Sequence, residues 1–439
     1  MDALPLHPLA VARSLHALSQ RDLAEEIRRA ARRRDRMAGT TKQQVARWES
    51  GSRVPDAWFQ SLIADVFGVD PQLVAAAGWP YWLPGADALA VPLGVGATVT
   101  ALREAQRRTM LSRRTVLGLA PAILTALAQQ WATLDPDVAA SAAEGKAVAP
   151  EMISWLETSV QDLANMATAD RQHTTQLLDS FYDTVVGLLE NSRYTPETGT
   201  RLHALASSLA QTIGWHRFDH EHHTAAGHYW SAALHAAHQA SDTDRGAGIL
   251  ADLAYQSVWL GQAAPAIDIL DQALTRTTDP TARSLLHLRK ARALAMNGEA
   301  QACRRSLDAA EHFLHATATT PPLWCSWYGE ADLAVDSGRC LIDLGEPGPA
   351  LQQIDQGVAL LPAARAKTRA IFLTYRAETL LQQGEIDQSA ATAHQALQLA
   401  HHIGASRCVQ QIAALTPQYQ PHQSVHGVQK LLATLRAAA

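Results

Sequence analysis

The chain has 439 residues, 47% hydrophobic and 18% charged, with a net charge of −5, a length and composition that hold two or three packed domains and exclude a disordered chain. No run of 18 apolar residues occurs, and the opening "MDALPLHPLAVARSLHALSQ" has no basic cluster followed by a long apolar stretch, so a cytoplasmic protein with no membrane association is expected. The charge is uneven: residues 1–114 carry 16 Lys plus Arg against 11 Asp plus Glu, the remainder 21 against 31, so the basic head and not the acidic body would face a polyanion.

In chain order, "LSQRDLAEEI" (18–27) places Ser19 as an N-cap and Leu23 with Ile27 on one apolar stripe, which predicts a helix with one buried face. A second helix follows in "TTKQQVARWESGSRVP" (40–55): Thr41 caps it, Val45 and Trp48 face inward, and Lys42, Gln43, Gln44 and Arg47 are left outward. Gly51 stops it and Pro55 follows. Gln pairs bidentately with adenine and Lys or Arg with guanine, while Ser19, Gln20 and amides at a helix start suit phosphate.

These residues resemble the helix-turn-helix of the Cro and phage-repressor (XRE) family, with Leu18, Ser19, Gln20, Leu23, Ala24, Thr41, Val45, Trp48, Glu49, Gly51 and Pro55 filling the signature over about residues 8–78. The resemblance implies that the second helix enters the major groove of a double-stranded operator, with Thr41, Lys42, Gln43, Gln44 and Arg47 at its reading end. It also implies a homodimer. One departure is an insertion, "RRAARRRDRMAG", expected to lengthen the first helix and to offer Arg32 and Arg33, among other arginines, to a phosphate strand.

"GWPYWLPGADALAVPLGVGA" (78–97) reads as an ordered turn leading into a linker. The next segment, "LSRRTVLGLAPAILTALAQQWA" (111–132), imitates a twin-arginine export signal through Ser112, Arg113 and Arg114, but a DNA-binding module precedes it, so a connecting helix is expected instead. The domains expected are 1–84 as the head, 85–149 as linker and connecting helices, and 150–439 as a repeat body.

In that body four segments align on Gly261, Gly298, Gly345 and Gly384, spaced by 37, 47 and 39 residues. Seven residues before each glycine lies a small residue (Ala254, Ala291, Gly338, Ala377), and others recur five and twelve residues after it. Small residues at those offsets let two antiparallel helices approach while the glycine turns the chain. The pattern resembles the tetratricopeptide repeat, a helix-pair solenoid with a concave face, here with a loop insertion at "ATATTPPLWCSW" (316–327) and the second helix of a degenerate fifth unit over 223–242. Six residues before each turn glycine stand Tyr255, Arg292, Arg339 and Glu378, a stripe expected on the concave side and suited to a peptide end or another anion.

Cys303, Cys325, Cys340 and Cys408 form no CxxC pair and are expected as free thiols. The histidines of "GWHRFDHEHHTAAGH" (214–228) lack a metalloprotease glutamate or thiolate, so no metal is expected, and no Walker loop, GxSxG or GxGxxG after a strand marks an enzyme or a cofactor. The expected fold is all-α, a helix-turn-helix domain followed by a tetratricopeptide-like solenoid. The pairing resembles actinobacterial regulators that join these modules. It implies a transcriptional regulator whose body senses a peptide, small molecule or protein; the alternative is a protein-interaction scaffold with a head that does not bind DNA.

Overall fold

The computed structural model describes residues 7–16, 18–50, 52–69, 97–111, 121–134, 146–165, 174–316 and 320–438, with Val74, Trp79, Pro80, Trp82, Leu83, Val91 and Leu93 between them. These residues form an all-α protein whose one β feature is an isolated bridge between Ala147 and Arg193. Gly51, the export-like Ser112, Arg113 and Arg114, and most of the 78–97 segment lie outside the described residues.

The described residues of the head include α1 (Pro8–Leu15), α2 (Gln20–Arg33), α3 (Lys42–Glu49) and α4 (Ala57–Phe67). Ser19 caps α2 in a reciprocal box with Asp22, Thr41 caps α3 by accepting from the Gln44 amide, and Asp56 caps α4, each satisfying a donor that the first turn leaves open. The insertion lengthens α2 to Arg33, and Asp35, at φ 52°, turns the chain out of it. Leu9, Leu23, Ile27, Val45, Trp48, Leu62 and Ile63 close into a core, with Trp48 tilted on Phe59 at 5.3 Å between ring centroids.

Next come α5 (Ala97–Leu111), α6 (Pro121–Thr133), α7 (Pro150–Asn165) and α8 (Thr175–Asn191), followed by five helical hairpins. The hairpins are α9 with α10 (Pro196–Asp219, His223–Gln239), α11 with α12 (Thr243–Trp259, Ala263–Leu274), α13 with α14 (Pro280–Met296, Ala300–Leu314), α15 with α16 (Glu330–Asp343, Pro347–Leu360) and α17 with α18 (Ala366–Gln382, Ile386–His402). Three helices follow: α19 (Ser406–Ala414), α20 (Thr416–Tyr419) and α21 (His426–Ala438). The array is a solenoid in which each hairpin packs on the next, and α5 and α6 lie against α10 and α12.

Gly261, Gly298, Gly345 and Gly384 occupy the last four hairpin turns at φ between 76° and 82°, a region costly for a residue with a Cβ. The amide after each bonds a carbonyl five residues back, as Gln262 does with Ser257 at 2.7 Å and Glu299 with Leu294 at 2.9 Å, so the turn also satisfies the ends of the first helix. In the α9–α10 turn Glu221 stands in the equivalent place at φ 64°, so the degenerate fifth unit keeps the geometry without the glycine. The small residues act as expected: a Cβ on Gly357 would lie 2.4 Å from Val335 Cγ2, and one on Gly338 2.7 Å from Ile354 Cγ1. The insertion folds back on the array, where Trp324 covers α11 so closely that a Cβ on Gly248 would meet its ring at 2.5 Å.

No described helix is long and apolar enough to cross a membrane. All four cysteines are free thiols buried between helices.

Candidate functional site

Two places collect the polar residues singled out by sequence. In the head, Lys42, Gln43 and Arg47 project from α3 into solvent, and Gln44 is half-buried. Among the described residues no side chain bonds the Lys42 ammonium or the Arg47 guanidinium, and the amides of Lys42 and Gln43 have no acceptor, as the first turn of a helix requires. Arg21 and Arg53, which sequence reasoning passed over, are equally exposed and unpaired among the described residues. The outward placement of Arg21 was implicit in the periodicity of α2, whereas Arg53 lies in the bend after α3, where no period applies.

The α2–α3 angle is held by Glu49, whose carboxylate accepts from Arg13 Nε at 2.6 Å and from Gln20 Nε2 at 2.6 Å. Gln20 thus spends one amide hydrogen on a tie within the head, because Glu49 closes α3 directly beside the start of α2, and one remains. Ser19 accepts from the Asp22 amide as a cap and remains exposed.

The arginine-rich insertion divides. Arg28 donates to the Thr40 carbonyl at 2.5 Å, Arg29 pairs with Glu25 and Glu26, Arg34 reaches Ser61 and Asp65 at 2.9 and 2.7 Å, and Arg36 lies over the Trp58 ring at 5.1 Å. These four hold the insertion against α2 and α4. Arg32 and Arg33 alone of the six stay exposed without a partner among the described residues.

The second place is the inner side of the array, where the first helices of successive hairpins lie side by side. Tyr255, Arg292, Arg339 and Glu378 do converge there, from α11, α13, α15 and α17. Their polar groups are nevertheless taken up by contacts within the array, Arg339 with Glu378 inside the stripe and the others with residues outside it. Arg339 bonds Glu378 and also Asp343 at 2.7 Å, Arg292 bonds Asp336 at 2.9 Å, and both guanidinium groups lie over the Tyr375 ring, at 5.2 and 5.6 Å.

Arg407 of α19 closes the cluster, donating to the Tyr255 hydroxyl at 3.0 Å and sitting 5.0 Å over Phe218 and 5.3 Å over Trp259. Asp219, at the end of α9, meets Arg407 Nε at 3.4 Å and bonds Lys367 of α17, while Gln410 donates to Glu221. The first and last units of the array are thus joined across its inner side. Burial alone would raise the Tyr255 hydroxyl pKa, but the guanidinium groups of Arg407 and Arg289 outweigh it and bring the value below that of an ordinary tyrosine. Asp252, which accepts from Gln211 at 2.8 Å and Trp215 at 3.0 Å, is pushed up to about 6 by burial.

Arg289 and Arg407 were missed in the sequence. Arg289 lies one turn before Arg292, so helical spacing could have found it; Arg407 lies beyond the fourth repeat, and nothing local marks it. The clustered histidines go separate ways: His220 Nδ1 lies 2.7 Å from the His216 carbonyl, and His223 packs on Phe218, its pKa lowered by burial. No group of three or more metal-ligating side chains occurs among the described residues.

No protein-family model and no curated protein matches the chain. Among solved structures it is similar to a Rap protein complexed with competence and sporulation factor, at 12% identity over 77% of this chain and 96% of that chain, with a TM-score of 0.43.

Proposed function

We propose that the chain is a sequence-specific DNA-binding transcriptional regulator of the repressor-like type, acting in the cytoplasm as a homodimer, whose repeat body receives a peptide, small molecule or protein and alters operator affinity. The observation that carries this reading is the capped start of α3, where Lys42, Gln43 and Arg47 stand exposed beside two open amides, while Glu49 at the other end of the helix is tied to Arg13 and Gln20. Such a face has the donors needed for base edges in the major groove and for the phosphates beside them. The mechanism is a coupling free energy: an effector that favours one arrangement of the array shifts the head's affinity by the difference in its own affinity for the two arrangements.

Selection of bound sites from random duplexes by the purified full-length protein tests this. The expected result is a two-fold symmetric motif, bound with an affinity that falls with salt by about one logarithmic unit per phosphate contact for each tenfold rise in salt. An unenriched pool overturns it.

A second reading, a helical protein-interaction scaffold with a head that does not touch DNA, is favoured by the closed inner side of the array. The contacts of Asp219 with Lys367 and Arg407 join its ends with no reference to the head. That reading expects partner binding with little dependence on salt and no motif from the selection.

A further inference from the structure

Each inner-face cation except one has a carboxylate: Asp336 for Arg292, Asp343 and Glu378 for Arg339, and Asp219 for Lys367 and Arg407. Arg289 has none. Its residue is 6% exposed, its Nε has no hydrogen-bond partner, and among the described residues its guanidinium meets only the face of Tyr255, 4.0 Å from the ring centroid. Asp252 lies near enough to be felt electrostatically but forms no ion pair with it, its carboxylate being held by Gln211 and Trp215.

A buried cation is costly unless a counter-charge reaches it, and contact with a ring offsets only about 1–2 kcal/mol. Water satisfies hydrogen bonds but supplies no charge. Beside Arg289 stands an aromatic wall: Tyr255 packs on Trp215 and Phe218, each at 5.7 Å between centroids, and Arg407 adds a second positive group at the Tyr255 hydroxyl.

We propose that Arg289 anchors a buried anion site on the inner side of the array, and that its ligand is an organic carboxylate with an apolar or aromatic body. The guanidinium takes the carboxylate in a forked pair while the half-buried rings of Trp215 and Tyr255, backed by the buried Phe218, take the body. This deepens the reading of the body as a receptor, and a small free acid and the C-terminus of a peptide present the same chemistry. It also explains why Arg292 and Arg339 are not themselves the anchor: Asp336, Asp343 and Glu378 already neutralise them, and the open valence lies one turn earlier on α13.

The test is thermal unfolding and tryptophan fluorescence of the full-length protein without DNA, at constant ionic strength. The probes are benzoate and N-acetylphenylalanine, each against its neutral amide, benzamide and N-acetylphenylalaninamide. The expected result is a saturable rise in Tm with one acid or both and none with the amides at up to about 10 mM. Benzoate acting alone identifies a small free acid, and N-acetylphenylalanine acting alone a peptide terminus. R289M should weaken the response by about tenfold or more, and R289K, which keeps the charge but not the fork, should retain part of it.

No saturable response to either acid, equal responses to acid and amide, or an R289M response within about twofold of the parent overturns the site. If R289M does not fold, the contrast of acid with amide on the parent and the graded response of R289K decide the matter. Operator binding is measured separately, so failure of the anion site and failure of the DNA-binding reading are distinct results.

Discussion

The head and the inner side of the array both concentrate arginines on helices, yet the fold treats them in opposite ways. On α3 the cations stand in water with nothing bound to them, whereas on α13, α15, α17 and α19 they are tied to carboxylates and rings across the array. An exposed, unpaired charge costs the fold little and remains available to a polyanion; a buried one must be paired or it destabilises the fold. Whether a charge is free is therefore a better guide to function than its presence, and the comparison can be broken at either end.

The largest effect is expected inside the array. Asp219→Ala removes the carboxylate facing both Lys367 and Arg407, and since Arg407 is almost wholly buried, chemical denaturation should show a loss of about 3–5 kcal/mol. A loss under about 1 kcal/mol would mean that the inner-face pairs are no more than surface contacts.

On the head the opposite is expected. Gln43→Ala should leave the unfolding curve unchanged and weaken the selected site by about 1–3 kcal/mol while sparing random DNA. Equal losses on both DNAs would remove Gln43 from base reading.

Asp252 sharpens the comparison through pH. Its folded pKa is about 6 against an ordinary 3.8, so the native state holds the proton more tightly than the unfolded chain. The parent should therefore lose stability as pH rises from about 4 to 6, and the loss persists above that range. Asp252→Asn removes this part of the pH dependence and should stabilise the protein at pH 8 by on the order of 2 kcal/mol. Parallel pH profiles for parent and variant would contradict the assignment.

The smallest effect on stability belongs to Arg32→Ala with Arg33→Ala, expected within about 0.5 kcal/mol because neither side chain has an internal partner among the described residues. The same pair should flatten the salt dependence of DNA binding by about one unit for each phosphate contact removed. An unchanged slope makes this end of α2 a solvated face.

Much of this was legible in the chain because it is local. Thr41 caps a helix of eight residues that holds Val45 and Trp48, so capping and a 3.6-residue period decide which way each points. The turn glycines and the small residues beside them were legible for the same reason: φ and close approach are properties of a single position. Glu221 was not, since a residue with a Cβ holds the left-handed turn there only because the packed α9–α10 hairpin imposes it.

The sequence by itself thus determined an all-α chain, the capped α3 with its outward polar face, and a repeated hairpin whose first helices carry Tyr255, Arg292, Arg339 and Glu378 on one side. Only the tertiary structure decided which of those charges are free. Gln20 finds Glu49 29 residues away, Arg407 finds Tyr255 at a separation of 152, and Arg289, with the same side chain and nearly the same helical address as Arg292, forms no ion pair among the described residues. Helical spacing fixes the direction in which a side chain leaves its backbone, but the partner that meets it is set by how distant helices cross, and pairing across such distances leaves no periodic trace in the chain.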